Sequence, residues 1–197
     1  MSVFVTGHRK GGTSVVAGVL RILGVDMGVG LAQVNEDQDI VRSWSCRLRK
    51  LDRDAVVRDA SAALRARANW VEPWGWKDPL GVLYAAAVRV PNPHLVIVFR
   101  DPAAIAHRAG STTTVGAILE HYQQCLEIER AWNCPALHVS YERMCRDPRP
   151  VVESLRDLCS LAATEEQIDT ACRFVDPTKG YQDVRPFLTE EIERRQR

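Results

Sequence analysis

The opening of the chain constrains its fold more than any other stretch. Val3–Thr6 is a short run of β-branched and aromatic residues that breaks at Gly7, the pattern of a buried strand. The turn that follows, Gly7-His8-Arg9-Lys10-Gly11-Gly12, carries three glycines. From Thr13 the pattern changes: Val15, Val16, Val19, Leu20 and Leu23 recur at helical spacing, and Gly24 supplies a stop. The order is strand, glycine-rich loop, helix.

The rest of the chain keeps that alternation. Leu95–Phe99 (LVIVF) is the clearest buried strand, and an unbroken apolar run of this kind suits a parallel sheet covered on both faces. Trp74–Lys77 and Ala136–Ser140 (ALHVS) read as further strands. Helices are expected over Leu80–Val90, with Leu83, Ala86 and Ala87 packing inward, and around Ile118–Trp132, with Ile118, Leu119, Tyr122, Cys125 and Leu126 as the apolar face. Two more are expected, after Pro148 (Val151, Val152, Leu155, Leu158) and over Glu165–Phe174. Gly28–Gln38 reads as irregular, Asp39–Asn69 as one or two helices with a solvated arginine face, and Thr189–Arg197 as a charged tail. Strands alternating with helices predict an α/β fold: a three-layer α/β/α arrangement on a mostly parallel central sheet, P-loop NTPase-like. A length of 197 residues supports one domain, 1–197.

Composition narrows the function classes. Hydrophobic residues make up 46% and charged residues 26%, as in an average soluble domain, which argues against a disordered or collagen-like chain. The net charge of +1 leaves no global excess for coating nucleic acid or a membrane, so any anion site must be local. No apolar run approaches the length of a membrane span, and the start lacks the long apolar stretch of a secretory signal. A cytoplasmic protein is therefore expected. None of the six cysteines (Cys46, Cys125, Cys134, Cys145, Cys159, Cys172) forms a C-x-x-C pair, so neither a disulfide framework nor a bound metal is expected. Cys125 and Cys159 read as small hydrophobes.

Ligands of parallel α/β sheets sit at the carboxyl ends of the strands. That rim gathers Gly7–Ser14, Lys77-Asp78 and the stretch from Arg100 onward. Glycines between a strand and a helix start let backbone N–H groups point inward, the helix dipole favours an anion, and Thr13 and Ser14 add hydroxyls. The fitting ligand is a phosphate or a sulfate. The spacing resembles G-x-x-x-x-G-K-[ST], except that Thr13 occupies the lysine position and a lysine stands earlier, at Lys10 after Arg9.

Lys10-Gly11-Gly12-Thr13-Ser14 resembles the phosphosulfate loop of sulfotransferases, usually [KR]-[ST]-G-T-[ST]. Four further stretches are similar to later blocks of that family, in order: the helix Val15–Gly24 with Val25-Asp26-Met27-Gly28, then Trp74-Gly75-Trp76-Lys77-Asp78-Pro79, then Val96–Pro102 (VIVFRDP), then Tyr141-Glu142-Arg143 with Asp147-Pro148. The resemblance covers roughly half the chain. It implies an enzyme that uses 3′-phosphoadenosine 5′-phosphosulfate (PAPS) to sulfate a hydroxyl or amine of a small-molecule or carbohydrate acceptor. By the same resemblance the amides of Gly11, Gly12 and Thr13, with the hydroxyls of Thr13 and Ser14, cradle the 5′-phosphosulfate beside Arg9. Lys10 reaches the oxygen between phosphate and sulfuryl group, and Arg100 pairs with the 3′-phosphate.

The chain departs from the family at two places. Gly11 replaces a Ser or Thr, and the usual serine eight positions after the arginine is Arg108, flanked by His107, with Ser111 beyond. Two readings of Arg108 stand: a stronger charge-assisted contact to the same phosphate, or a surface arginine. The general base is open among Glu36, Asp37, His8, His107, His121 and Lys77. The tryptophans around Lys77 read either as an acceptor wall or as core. Two other functions compete. A small-molecule kinase needs a lysine at Thr13 and a magnesium carboxylate, for which Asp101 is the candidate. A non-catalytic binding protein on the same fold is the other, and Arg108 is its support. Homo-oligomerisation is open.

Overall fold

The computed structural model describes residues 1–28, 30–31, 36–37, 52–67, 72–110, 113–178 and 182–188. Strand β1 (Ser2–Gly7) runs through the glycine turn into helix α1 (Thr13–Ile22). A short antiparallel pair, β2 (Gly30–Leu31) and β3 (Glu36–Asp37), lies within the stretch expected to be irregular. Helix α2 (Arg53–Arg67) precedes strand β4 (Trp74–Lys77). Then come β5 (Pro93–Phe99), α3 (Pro102–Ala109), α4 (Val115–Trp132) and β6 (Ala136–Ser140). Helices α5 (Tyr141–Arg146), α6 (Pro148–Leu158) and α7 (Glu165–Phe174) follow. The expected helical stretches 39–51 and 68–69, and the tail 189–197, fall outside the described residues.

Four strands form one sheet in the order β4-β1-β5-β6, and every pairing in it is parallel. All four carboxyl ends therefore share one rim. The chain leaves β1 toward β4 on one side and returns to β5 on the other, so the sheet's switch point lies at the end of β1.

Strand alternation explains the two cores. Val3, Val5, Val96, Val98 and Val139 face α1, α6 and α7 in one apolar cluster. Phe4, Leu95, Ile97, Trp74 and Trp76 face α2 and α4 in the other. Leu95–Val98 is buried on both faces, as the apolar run predicted, and each such side chain contributes roughly 1.5–3 kcal/mol of burial. Trp74 and Trp76 stack within the second core beside Phe4 and Trp132; they are core, not an acceptor wall. Burial pushes the Cys125 and Cys159 thiols up to about 12, in keeping with their reading as hydrophobes.

One expected helix is absent. Leu80–Val90 forms two 3-10 turns, Gly81–Leu83 and Ala85–Ala87, split by Tyr84 at φ −139°. Asp78 dictates this. Its Oδ1 accepts the Leu80 N–H at 2.8 Å and its Oδ2 accepts the Tyr84 hydroxyl at 2.8 Å. Those bonds draw Tyr84, and with it Ala85 and Val88, into the core, and leave Leu83, Ala86 and Ala87, the expected packing face, exposed. Leu119, expected inside, is exposed as well.

Candidate functional site

The first corner of the rim is the turn from β1 to α1. Gly7 has φ +147°, and a β-carbon there would overlap the Val98 carbonyl oxygen across the strand pair. The Gly11 N–H donates to the His8 carbonyl at 2.9 Å, closing the turn. Gly12 stands at the N-cap with φ +96°, and no side chain caps the first turn of α1. A β-carbon on Gly12 would overlap the ring of Tyr141. The glycine is thus required twice, by its backbone angle and by the aromatic ring laid on it. Thr13 is buried, Ser14 half-buried, and Arg9 and Lys10 exposed.

Lys77 brings a second positive charge to that turn. The pairing of Val5 with Lys77 sets the lysine at the carboxyl end of β4. The residue is 2% exposed, and its ammonium donates to the Ser14 hydroxyl at 3.3 Å. Thr6 and Asp78 tie the two strand ends together through a 3.1 Å hydroxyl–carbonyl bond.

Arg100 forms the other corner, one residue beyond β5. Its Nη1 donates to the Lys10 carbonyl at 3.0 Å, so the guanidinium is fastened to the turn. Its Cζ lies 4.7 Å from the centre of the Tyr141 ring, a cation–π distance. Its Nε is buried, has no hydrogen-bond partner among the described residues, and lies 4.0 Å from Glu142. Lys10 reaches the same corner: its Nζ donates to the Arg108 carbonyl at 3.2 Å, at the end of α3. Burial and the Cys145 thiol push the Tyr141 phenol above its ordinary range, against the pull of the Arg100 and Arg108 charges. Both arginines therefore bear on one ring.

The remaining candidates divide. His121, on α4, packs its ring edge-on to His8 at 5.1 Å between centroids. Burial first, and the His8 charge second, lower its pKa to about 4, while the backbone of Gly7 and Pro79 pulls the other way. It is a neutral imidazole at neutral pH. His107 is exposed on α3. Glu36 and Asp37 form β3; their side chains, and Ser111, lie outside the described residues. Asp101 is occupied: its carboxylate accepts the Ala103 N–H at 2.7 Å as the cap of α3, with Pro102 at the first helical position. Tyr122 reads from sequence as core, because an aromatic on an amphipathic helix does so until its hydroxyl partner is known; Tyr141 and Glu142 stand out in the sequence only as part of a family-like block, without roles.

The residues present suit a ligand with separated anionic groups. An uncapped helix start, two lysines and a guanidinium with an orphaned nitrogen lie along one rim. No protein-family model matches the chain, and no curated protein matches it in sequence. Its backbone is similar to a number of solved structures, among them these two. One is the sulfotransferase domain from the curacin biosynthetic pathway, with a TM-score of 0.54 and 11% identity over 86% of this chain and 76% of that one. The other is retinol dehydratase in complex with androsterone and the inactive cofactor PAP, with a TM-score of 0.51 and 15% identity over 98% of this chain and 69% of that one. The strand–turn–helix opening, the parallel sheet and the rim at its carboxyl ends are thus those of the sulfotransferase fold.

Proposed function

We propose that the chain, as a single domain, is a PAPS-dependent sulfotransferase. One observation carries the reading. The lysine missing from the nucleoside-triphosphate position stands at Lys10, and its backbone carbonyl holds Arg100. One residue thus joins the loop suited to a 5′-phosphosulfate to the guanidinium suited to a 3′-phosphate. The retinol dehydratase of similar fold was solved with PAP, which supports the same pair of anionic groups for this chain.

When bound, PAPS supplies the sulfuryl group that an acceptor hydroxyl or amine receives. The chain's own residues bind and orient. The amides of Gly11, Gly12 and Thr13, with the hydroxyls of Thr13 and Ser14, take the 5′ end, beside Arg9. Lys77 neutralises charge from the β4 side. Arg100 and Arg108 take the 3′ end; the Arg108 carbonyl accepts from Lys10 Nζ, which ties the end of α3 to that corner. Lys10, whose Nζ meets the Arg108 carbonyl in this structure, would turn its ammonium to the phosphosulfate and there supply positive charge to the leaving phosphate. Glu36 is the carboxylate that would act as base, and His121, neutral and beside the end of β1, is its rival. The acceptor class that fits is a small molecule or carbohydrate, and the cytoplasm is the compartment the composition suits.

The kinase reading loses its support, since Thr13 holds no lysine and Asp101 is bound into a helix cap. Two measurements test the proposal. Adenosine 3′,5′-bisphosphate (PAP) raises the melting temperature without magnesium, and radiolabelled PAPS transfers sulfate to at least one member of a broad hydroxyl and amine panel. Stabilisation by ATP with magnesium alone overturns it. Binding of PAP with no transfer to any acceptor leaves the non-catalytic binding protein. Lys10→Ala lowers kcat by about 100-fold or more, the cost of losing one preorganised charge contact, while the melting temperature of the free protein stays put.

A further inference from the structure

We infer that Tyr122 is a positioning residue that sets how tightly Arg100 holds a 3′-phosphate, with Glu142 as its second support; this rests on the function proposed above. Ladder pairing in β5 ends at Phe99, opposite Ser140. Arg100 therefore leaves the sheet with its own N–H and C=O in need of partners. One hydroxyl serves both. The Arg100 N–H donates to Tyr122 Oη at 2.9 Å, and the Tyr122 O–H donates to the Arg100 carbonyl at 2.8 Å. The next peptide is held from α5, where Glu142 Oε1 accepts the Asp101 N–H at 3.0 Å.

The hydroxyl is a rigid post. Tyr122 is 7% exposed, and its ring lies 4.9 Å from the Phe99 ring and packs with Ile105 and Ile118. Burial, the leading cause, raises the Tyr122 pKa above the ordinary phenol range, so the proton needed for donation is retained. Backbone held at Arg100 and at Asp101 fixes where the arginine's side chain starts. The Tyr141 ring and the Lys10 carbonyl fix where it ends. Loss of the hydroxyl frees the start while leaving the packed ring.

Calorimetric titration of wild type, Tyr122→Phe, Arg100→Ala and the double variant, each with PAP and with adenosine 5′-monophosphate, tests this. The monophosphate lacks the 3′ group. Tyr122→Phe weakens PAP about fivefold, the scale of one or two neutral hydrogen bonds, and shifts the monophosphate less than about twofold. In the Arg100→Ala background the added Phe changes PAP affinity less than about twofold, since the residue acts through the arginine. With PAPS as donor, KM rises while kcat is unchanged. A second pair reports on the same support without touching the core: Glu142→Gln keeps an acceptor for the Asp101 N–H and Glu142→Ala does not, so the Ala variant binds PAP more weakly than the Gln variant. Equal weakening of both nucleotides by Tyr122→Phe, an undiminished effect without Arg100, or Ala and Gln variants that bind alike overturns the inference. Wild-type protein that fails to bind PAP at all overturns the parent function and this role with it.

Discussion

The two corners of the rim hold positive potential by different means. The turn at Gly7–Ser14 is built from backbone: glycine angles, amide groups and the start of α1. The corner at Arg100 is built from side chains of three distant segments, with Tyr141 against the guanidinium and Tyr122 and Glu142 on the backbone from which it springs. A backbone site is made by local sequence and fails when a local angle fails. A side-chain site is made by tertiary packing and weakens by degrees as its supports are removed.

That difference predicts a sharp break at Gly12. Gly12→Ala places a β-carbon in the Tyr141 ring and forces alanine to φ +96°. The angle alone costs more than about 1 kcal/mol, and the ring must move as well. Expected are a lowered melting temperature and PAP binding weakened beyond about 100-fold, since an uncapped helix start that is displaced loses all its amide contacts together. Calorimetry and thermal melts check both. A Gly12→Ala protein that binds PAP like wild type breaks the comparison at its strong end.

At the other corner the losses are graded. Arg100→Ala weakens PAP by about 30-fold, the scale of hydrogen bonds to a charged group. Arg108→Ala weakens it by about threefold, because this arginine is exposed and screened by salt. The Arg108 effect shrinks between low and high salt, while the Arg100 effect persists because its guanidinium is mostly covered. Titrations at two ionic strengths separate the arginines. Equal and equally salt-sensitive losses would make Arg100 a surface charge too.

The same division governs what could be read before the structure. Strands β1, β5 and β6 follow from β-branched runs, and α7 from its periodicity, because local pattern and burial agree there. The loop was legible for the same reason. Arg100 was legible only as the residue ending an apolar strand. Its supports were not, since nothing local to Tyr122 says that its hydroxyl meets a peptide 22 residues away. The missed helix at 80–90 has a like cause: apolar and alanine content favours a helix, and two bonds from Asp78 override it. Leu83 and Leu119 look like core by composition and are exposed because packing, not composition, chose the neighbouring residues.

His121 gives the smallest effect and tests whether the backbone corner is also sensitive to charge. Its imidazole titrates near 4 in the folded chain, held down by burial and then by His8, against about 6.5 in an unfolded one. Between those values the unfolded chain binds more protons, so stability rises with pH through that window and falls as the solution is acidified from about 6.5 toward 4. His121→Gln removes the titrating group while keeping a polar side chain against Gly7 and Pro79. Its melting temperature should fall less steeply over that window than that of wild type, by on the order of a few degrees. Parallel melting curves for the two proteins would mean that His121 is already protonated, or hydrated, in the native state, and would remove it as a neutral base.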